Sequence, residues 1–208
     1  MLKRAYFGFQ CFWGESSFAK INGVTNTRVG YAGGKQKNPT YDLVCQSNTD
    51  QTEIVEVEFD QQVISYASLV KYFFDHHDST APHKIQYRSV ILYVDDEQKS
   101  VADEALEAVK KAKSNVQTRV EKFDVFWPAE DYHQKYWLRC QRHLFKELKL
   151  SDKEVASSLL ATKLNAYMAG YDNYDLLKHL GQEHKLSDSF IEEVEQIARR
   201  GGDPRSCH

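Results

Sequence analysis

The sequence predicts an α+β fold: a two-layer, ferredoxin-like (split βαβ) core with a C-terminal helical extension. Three observations carry that expectation. Segments of period two and period 3.6 follow one another up to Val94 in the order β-α-β-β-α-β, the pattern of two interleaved βαβ units. Glycine, proline and capping residues punctuate those segments. Beyond Leu150 only helical patterns follow, opened by the capping box Ser151-Asp152-Lys153-Glu154.

Residues 5–10, Ala-Tyr-Phe-Gly-Phe-Gln, are rich in strand formers. Residues 13–21 read as a helix, stopped at Gly23, and residues 25–32 as a second strand. Residues 53–59 alternate, with Val55, Val57 and Phe59 on one face and Ile54, Glu56 and Glu58 on the other. Residues 65–76 carry Leu69, Tyr72 and Phe73 at helical spacing, and residues 87–94 return to a strand pattern. A long polar helix over 95–113, a strand over 122–127 ended by Pro128, and a helix over 129–144 complete this part. The capping-box helix runs to Gly170, and shorter helices are expected near 173–180 and 188–199. Between Ala32 and Thr52 neither period appears, only turn residues such as Gly33, Gly34, Asn38 and Pro39 around Tyr41. A loop of that length inside a compact domain is usually functional or disordered, and the aromatic residue argues against disorder.

Composition narrows the class. With 41% hydrophobic residues the chain can bury a core, which excludes wholesale disorder. The 27 Lys and Arg against 30 Asp and Glu leave a net charge of −3, no footprint for nucleic acid. The four cysteines, at 11, 45, 140 and 207, are too scattered for a disulfide scaffold and form no CxxC pair. No apolar run is long enough to span a bilayer, and no signal-peptide apolar segment follows Met1. A cytoplasmic protein with reduced thiols and no membrane contact is therefore expected.

Chemistry concentrates around Cys11. It follows a strand and precedes a helix, where unpaired N–H groups and the helix dipole favour the thiolate. Alternation places it on the face of Phe7 and Phe9, and the adjacent Phe12 and Trp13 are suited to walling an apolar pocket. A buried structural cysteine is the competing reading. Counting by twos puts Glu53 on the apolar face of its strand, where desolvation raises a carboxyl pKa and keeps a proton available. A solvated strand end is the alternative there. Tyr41 and Tyr87 are phenols able to hold a developing oxyanion, against ordinary packing. Glu130-x-x-His133, His76, His77 and Asp78 are isolated as ligand patterns, and Gly33-Gly34-Lys35 lacks phosphate-loop spacing, so no metal is expected.

Cys11-Phe12-Trp13-Gly14 resembles the GCFWG signature of the A-type peptide methionine sulfoxide reductases. Val29-Gly30-Tyr31-Ala32-Gly33-Gly34, Asn38-Pro39-Thr40-Tyr41 with Val44-Cys45, Ile64-Ser65-Tyr66 with His77-Asp78, Gln86-Tyr87-Arg88-Ser89 and Ala129-Glu130-Asp131-Tyr132-His133-Gln134 resemble further segments of that family, in its order, across roughly residues 5–137. Glu53 falls where the family's catalytic glutamate falls. There are departures. Gln10 stands for a glycine, Asp50-Gln51-Thr52 replaces Gly-His-Ala, and a Gly-Asn-Asp-His-Gly stretch before Gln86 is missing, with Ala81-Pro82-His83-Lys84 leading into Ile85 instead.

The resemblance implies reduction of free and peptide-bound methionine S-sulfoxide. Cys11 would be the nucleophile, Glu53 the proton donor, Tyr41 and Tyr87 the partners of the oxygen, and Phe12 and Trp13 the methyl pocket. Cys207, in a glycine-containing tail, would resolve the sulfenic acid to a disulfide. No cofactor is implied beyond an external thiol, thioredoxin or dithiothreitol. Oxidised proteins and thioredoxin would be partners, and a monomer is expected. Residues 1–147 would form the catalytic domain, 148–200 a helical extension, and 201–208 a flexible tail. The rival expectations are a thiol peroxidase or hydrolase and a catalytically weakened module that binds oxidised methionine.

Overall fold

The computed structural model describes residues 1–9, 13–46 and 49–202, with Trp13 described by its backbone alone. Cys11, Phe12, Cys207 and most of the expected tail therefore lie outside the described residues.

The chain is α+β. Strands β1 (Leu2–Gly8), β2 (Val24–Ala32), β3 (Thr52–Asp60), β4 (Val90–Tyr93), β5 (Arg119–Lys122) and β6 (Trp127–Pro128) form one mixed sheet in the order β5-β4-β1-β3-β2-β6. β3 inserts between β1 and β2, antiparallel to both, and β4 lies antiparallel to β1 on its other side. The helices linking these strands, α1 (Trp13–Ala19) and α3 (Tyr66–Asp75), follow β1 and β3 in the chain order expected. The expected irregular segment between Ala32 and Thr52 contains a short helix, α2 (Tyr41–Cys45).

One face of the sheet carries the main core. Phe7 stacks on Phe18 at 4.8 Å and lies 5.4 Å from Phe73, beside Val55, Val57 and Phe59. Each such fully buried side chain contributes on the order of 2–3 kcal/mol. α3 presents Leu69, Val70, Phe73 and Phe74 to this core and is capped by Ser65, whose hydroxyl accepts from the Ser68 N–H. The next helix, α4 (Asp96–Ala112), is capped likewise by Asp95. The opposite face of β3 is also covered. Ile54 packs with Tyr6, Val90 and Leu92, while the buried Glu56 accepts from Tyr6 Oη at 2.9 Å and Arg28 Nε at 2.7 Å.

Two expected elements are redrawn. The strand over 122–127 resolves into β5, parallel to β4, and β6, antiparallel to β2, with the connector between them. A Cβ on Gly30 would meet Trp127 O at 2.4 Å, so this glycine is what lets β6 pair. The helix over 129–144 is a 3₁₀ turn (Asp131–His133), then α5 (Tyr136–Cys140) and α6 (Arg142–Leu148). Lys135 interrupts it by adopting a left-handed φ of 53°. Its reward is burial against Glu15. Lys135 Nζ lies 3.1 Å from Glu15 Oε1, and its N–H donates to Glu15 Oε2 at 2.9 Å, with both side chains fully enclosed.

The C-terminal helices are α7 (Asp152–Ser157), α8 (Leu159–Tyr167), α9 (Tyr174–Glu183) and α10 (Asp188–Arg199). Ser151 and Glu154 form the expected capping box, but the helix expected to continue to Gly170 breaks at Ser158, which caps α8. These helices enclose a second core around Trp137, Leu164, Tyr167, Phe190 and Val194. Hydrogen bonds tie them to the α1–β2 turn: Lys163 Nζ donates to Ala19 O at 2.8 Å and Ile21 O at 3.1 Å, and Lys20 Nζ to Ala169 O at 2.6 Å. Gly202 is buried, its N–H donating to Ile197 O, so the described start of the tail is fixed.

Candidate active site

Strand direction decides where the site lies. Tyr31 faces Glu53 across β2 and β3, and Gly8 faces Val90 across β1 and β4. The C-terminal ends of β1 and β2 and the N-terminal ends of β3 and β4 therefore meet at one end of the sheet. Phe9, the last described residue before Cys11, leaves β1 at that end.

Glu53 is the second residue of β3, on the face of Val55 and Val57, as the alternation predicts. Burial pushes its carboxyl up to about 7, while a hydrogen bond from Gln86 Nε2 to Oε1 at 2.7 Å pulls in the other direction. Desolvation outweighs that single neutral donor. Gln86 sits in a 3₁₀ turn, Ile85–Tyr87, fixed to the sheet by Thr52, whose hydroxyl donates to Ile85 O at 3.0 Å. The same Gln86 nitrogen lies 3.4 Å from Cys45 Sγ.

Tyr41 opens α2. Burial, then a hydrogen bond shared with Cys45, then the nearby Cys45, Tyr87 and Glu53 push its phenol above the ordinary range. It is thus a neutral hydroxyl at physiological pH. Thr40 gives α2 no side-chain cap. Glu130 does so from a distant segment, Oε1 accepting the Tyr41 N–H at 2.8 Å and Oε2 the Tyr31 hydroxyl at 3.0 Å. Burial pushes the Glu130 carboxyl up, but these hydrogen bonds prevail and hold it below the usual range. The His133 ring lies 4.8 Å from that of Tyr41, and burial lowers its pKa.

The structure thus brings Glu53, Tyr41 and Tyr87 together. Trp13 is the first residue of α1. Cys11, Phe12 and Cys207 lie outside the described residues. Gln86, Cys45, Glu130, Tyr31 and His133 join the site without having been assigned a part from sequence. Gln86 was visible as the neighbour of Tyr87, and Glu130 and His133 as an isolated Glu-x-x-His, but only folding shows that they hold Glu53 and Tyr41. Among the described residues, no group of three or more His, Cys, Asp or Glu is arranged to hold a metal ion. No helix among them is long and apolar enough to cross a membrane.

Such a cluster can hand a proton to an oxygen held by two phenols. Known proteins resemble the chain in this region and beyond it. Residues 3–163 match the sequence pattern of the family described as peptide methionine sulfoxide reductase. The peptide methionine sulfoxide reductase of Drosophila melanogaster is 42% identical over 179 residues, 84% of this chain and 71% of that protein. The MsrA of Methanococcoides burtonii is 42% identical over 150 residues, 67% of this chain and 98% of its own length. Among solved structures, methionine sulfoxide reductase A of Corynebacterium diphtheriae superposes with a TM-score of 0.62 at 31% identity, covering 68% of this chain and 76% of that one. Reduced Mxr1 from Saccharomyces cerevisiae gives 0.61 at 27% identity, covering 68% of this chain and 86% of its own.

Proposed function

The chain belongs to the peptide methionine sulfoxide reductase family, an oxidoreductase family, and from that premise we propose that it reduces methionine S-sulfoxide, free and in peptides, through a thiol at Cys11. The thiolate attacks the sulfoxide sulfur, and Glu53 protonates the departing oxygen while the Tyr41 and Tyr87 hydroxyls hold it. Phe12 and Trp13 enclose the methyl group. The hydroxide so released attacks Cys11 Sγ and breaks the new S–S bond, so that the substrate sulfur has gained two electrons, Cys11 has lost two, and methionine leaves with Cys11 as a sulfenic acid. The Cys207 thiol then condenses with it, giving a disulfide and water, and an external dithiol such as thioredoxin reduces that disulfide.

The observation that carries this reading is the half-buried Glu53 carboxyl, pushed up to about 7 by desolvation, with Tyr41 and Tyr87 nearby. A group with that value is half protonated near neutral pH and so able to give and regain a proton. We further propose residues 1–147 as the catalytic part and 148–200 as a helical buttress on it, acting as a cytoplasmic monomer. Cys45 and Cys140 form no disulfide among the described residues, which suits a reducing compartment.

The test is a dithiothreitol-driven assay on racemic N-acetyl methionine sulfoxide with the sulfur epimers resolved by chromatography. Loss of the S epimer alone is expected, abolished in Cys11→Ser. Cys207→Ser should release one methionine per enzyme yet lose thioredoxin-driven turnover. Consumption of neither epimer, or full activity of Cys11→Ser, would overturn the proposal.

A further inference from the structure

Two consecutive histidines follow α3, and among the described residues only the second is hydrogen-bonded to another segment. His76 is exposed, its Nδ1 2.9 Å from Tyr72 O on its own helix. His77 turns inward. Its Nδ1 lies 2.5 Å from Phe73 O and its Nε2 2.6 Å from Ser89 Oγ, which lies 2.7 Å from Thr118 Oγ1. A carbonyl only accepts, so Nδ1 carries the ring proton. Burial lowers the His77 pKa; the Phe73 bond opposes this, His83 and Lys113 add to it, and Asp78 opposes it. The ring is therefore neutral at physiological pH, and Nε2 accepts. The hydroxyls then run one way, Thr118 donating to Ser89 and Ser89 to His77. Both hydroxyl residues are buried, so water does not compete for these bonds.

Ser89 closes the segment that carries Gln86 and Tyr87. Thr52 ties the start of that segment to β3 through Ile85 O. Its end is held by His77 and by Ser89 O, which accepts the Arg119 N–H at 3.1 Å. The same imidazole lies 5.4 Å from the ring of Phe9, the last described residue before Cys11. We propose that His77 is a positioning residue of the reductase: through Ser89 it fixes the end of segment 85–89, and with it the Gln86 amide that donates to Glu53. The inference deepens the reductase reading and rests on it. Only the 3₁₀ turn and the extended Arg88 separate Gln86 from Ser89. The Gln86–Glu53 bond is 2.7 Å long, and such bonds weaken steeply when misaligned, so freedom at Ser89 is felt at Glu53.

Three variants test this. Ser89→Ala removes the link and leaves the ring. His77→Gln can place Oε1 where Nε2 stood and accept from Ser89, whereas His77→Asn can donate to Phe73 O but is too short to reach Ser89. Both lose the ring that packs on Phe9, so the difference between them isolates the Ser89 bond. Single-turnover rates of the dithiothreitol-reduced enzyme on N-acetyl methionine sulfoxide are followed across the pH range of the Glu53 titration. Ser89→Ala and His77→Asn should move the falling limb up by about 0.4–1 pH unit and lower the rate about 10- to 100-fold. His77→Gln should lie near the wild type in both. Carbon-13 NMR titration of the Glu53 carboxyl should show the same displacement without turnover. A loss of stability in urea with the Glu53 titration unmoved would make His77 purely structural and overturn the inference, as would glutamine and asparagine behaving alike. If the wild type turns over no sulfoxide, the reductase reading falls, and the NMR titration alone decides whether His77 sets the Gln86–Glu53 contact.

Discussion

Glu53→Gln is the perturbation that probes the site most directly. The carboxyl titrates near 7 in the folded chain, against 4.5 when exposed. Below 4.5 both states hold the proton, and burial costs nothing in charge. Between 4.5 and 7 the folded state holds more proton than the unfolded one, so stability falls as pH rises. Above 7 the full penalty is present. At ~1.4 kcal/mol per pH unit, that interval corresponds to ~3 kcal/mol. Glutamine is neutral throughout and keeps an oxygen to accept from Gln86 Nε2. The variant should therefore match the wild type at pH 4.5 and exceed it by up to ~3 kcal/mol at pH 8. Urea unfolding followed by tryptophan fluorescence, with dithiothreitol present, measures the difference. The same variant should lose most of its single-turnover rate, becoming more stable as it becomes less active. A stability difference that stays constant across this pH range would show the carboxyl to be solvated in the folded chain, and the acid assignment would lose its physical basis.

The wild-type single-turnover rate should fall as pH rises through about 7, because Glu53 then loses the proton it donates. Gln86→Leu removes the hydrogen bond that holds this value down, so quenched-flow profiles should show the falling limb displaced to higher pH. Lys135→Met leaves the enclosed Glu15 without its ion-pair partner and should cost ~3–5 kcal/mol in denaturant unfolding. The double variant Glu15→Leu with Lys135→Met should recover most of that loss, and failure to recover would mean that the lysine acts through packing or backbone geometry.

Much of the site was readable because it follows from local periodicity. The alternation of Val55, Val57 and Phe59 placed Glu53 on a buried face, and folding keeps it there. Tyr41 was visible as an aromatic residue in a segment of turn formers, though the short helix that carries it was not, because its cap comes from Glu130, far away in sequence. The break at Lys135 was equally hidden. Its left-handed φ is sustained by a buried partner on α1, which no propensity of residues 129–144 encodes.

Composition and period, acting between near neighbours, determined the α+β class, the strand that carries Glu53 and the order of elements around it. Tertiary structure alone decided the strength of that acid, because its pKa depends on how completely water is removed and on one hydrogen bond from Gln86. It alone decided, too, that His77 reaches Ser89 at the end of the segment carrying Gln86. Desolvation and hydrogen-bond partners are properties of what surrounds a residue in space, and the chain supplies those surroundings only once β3 lies between β1 and β2.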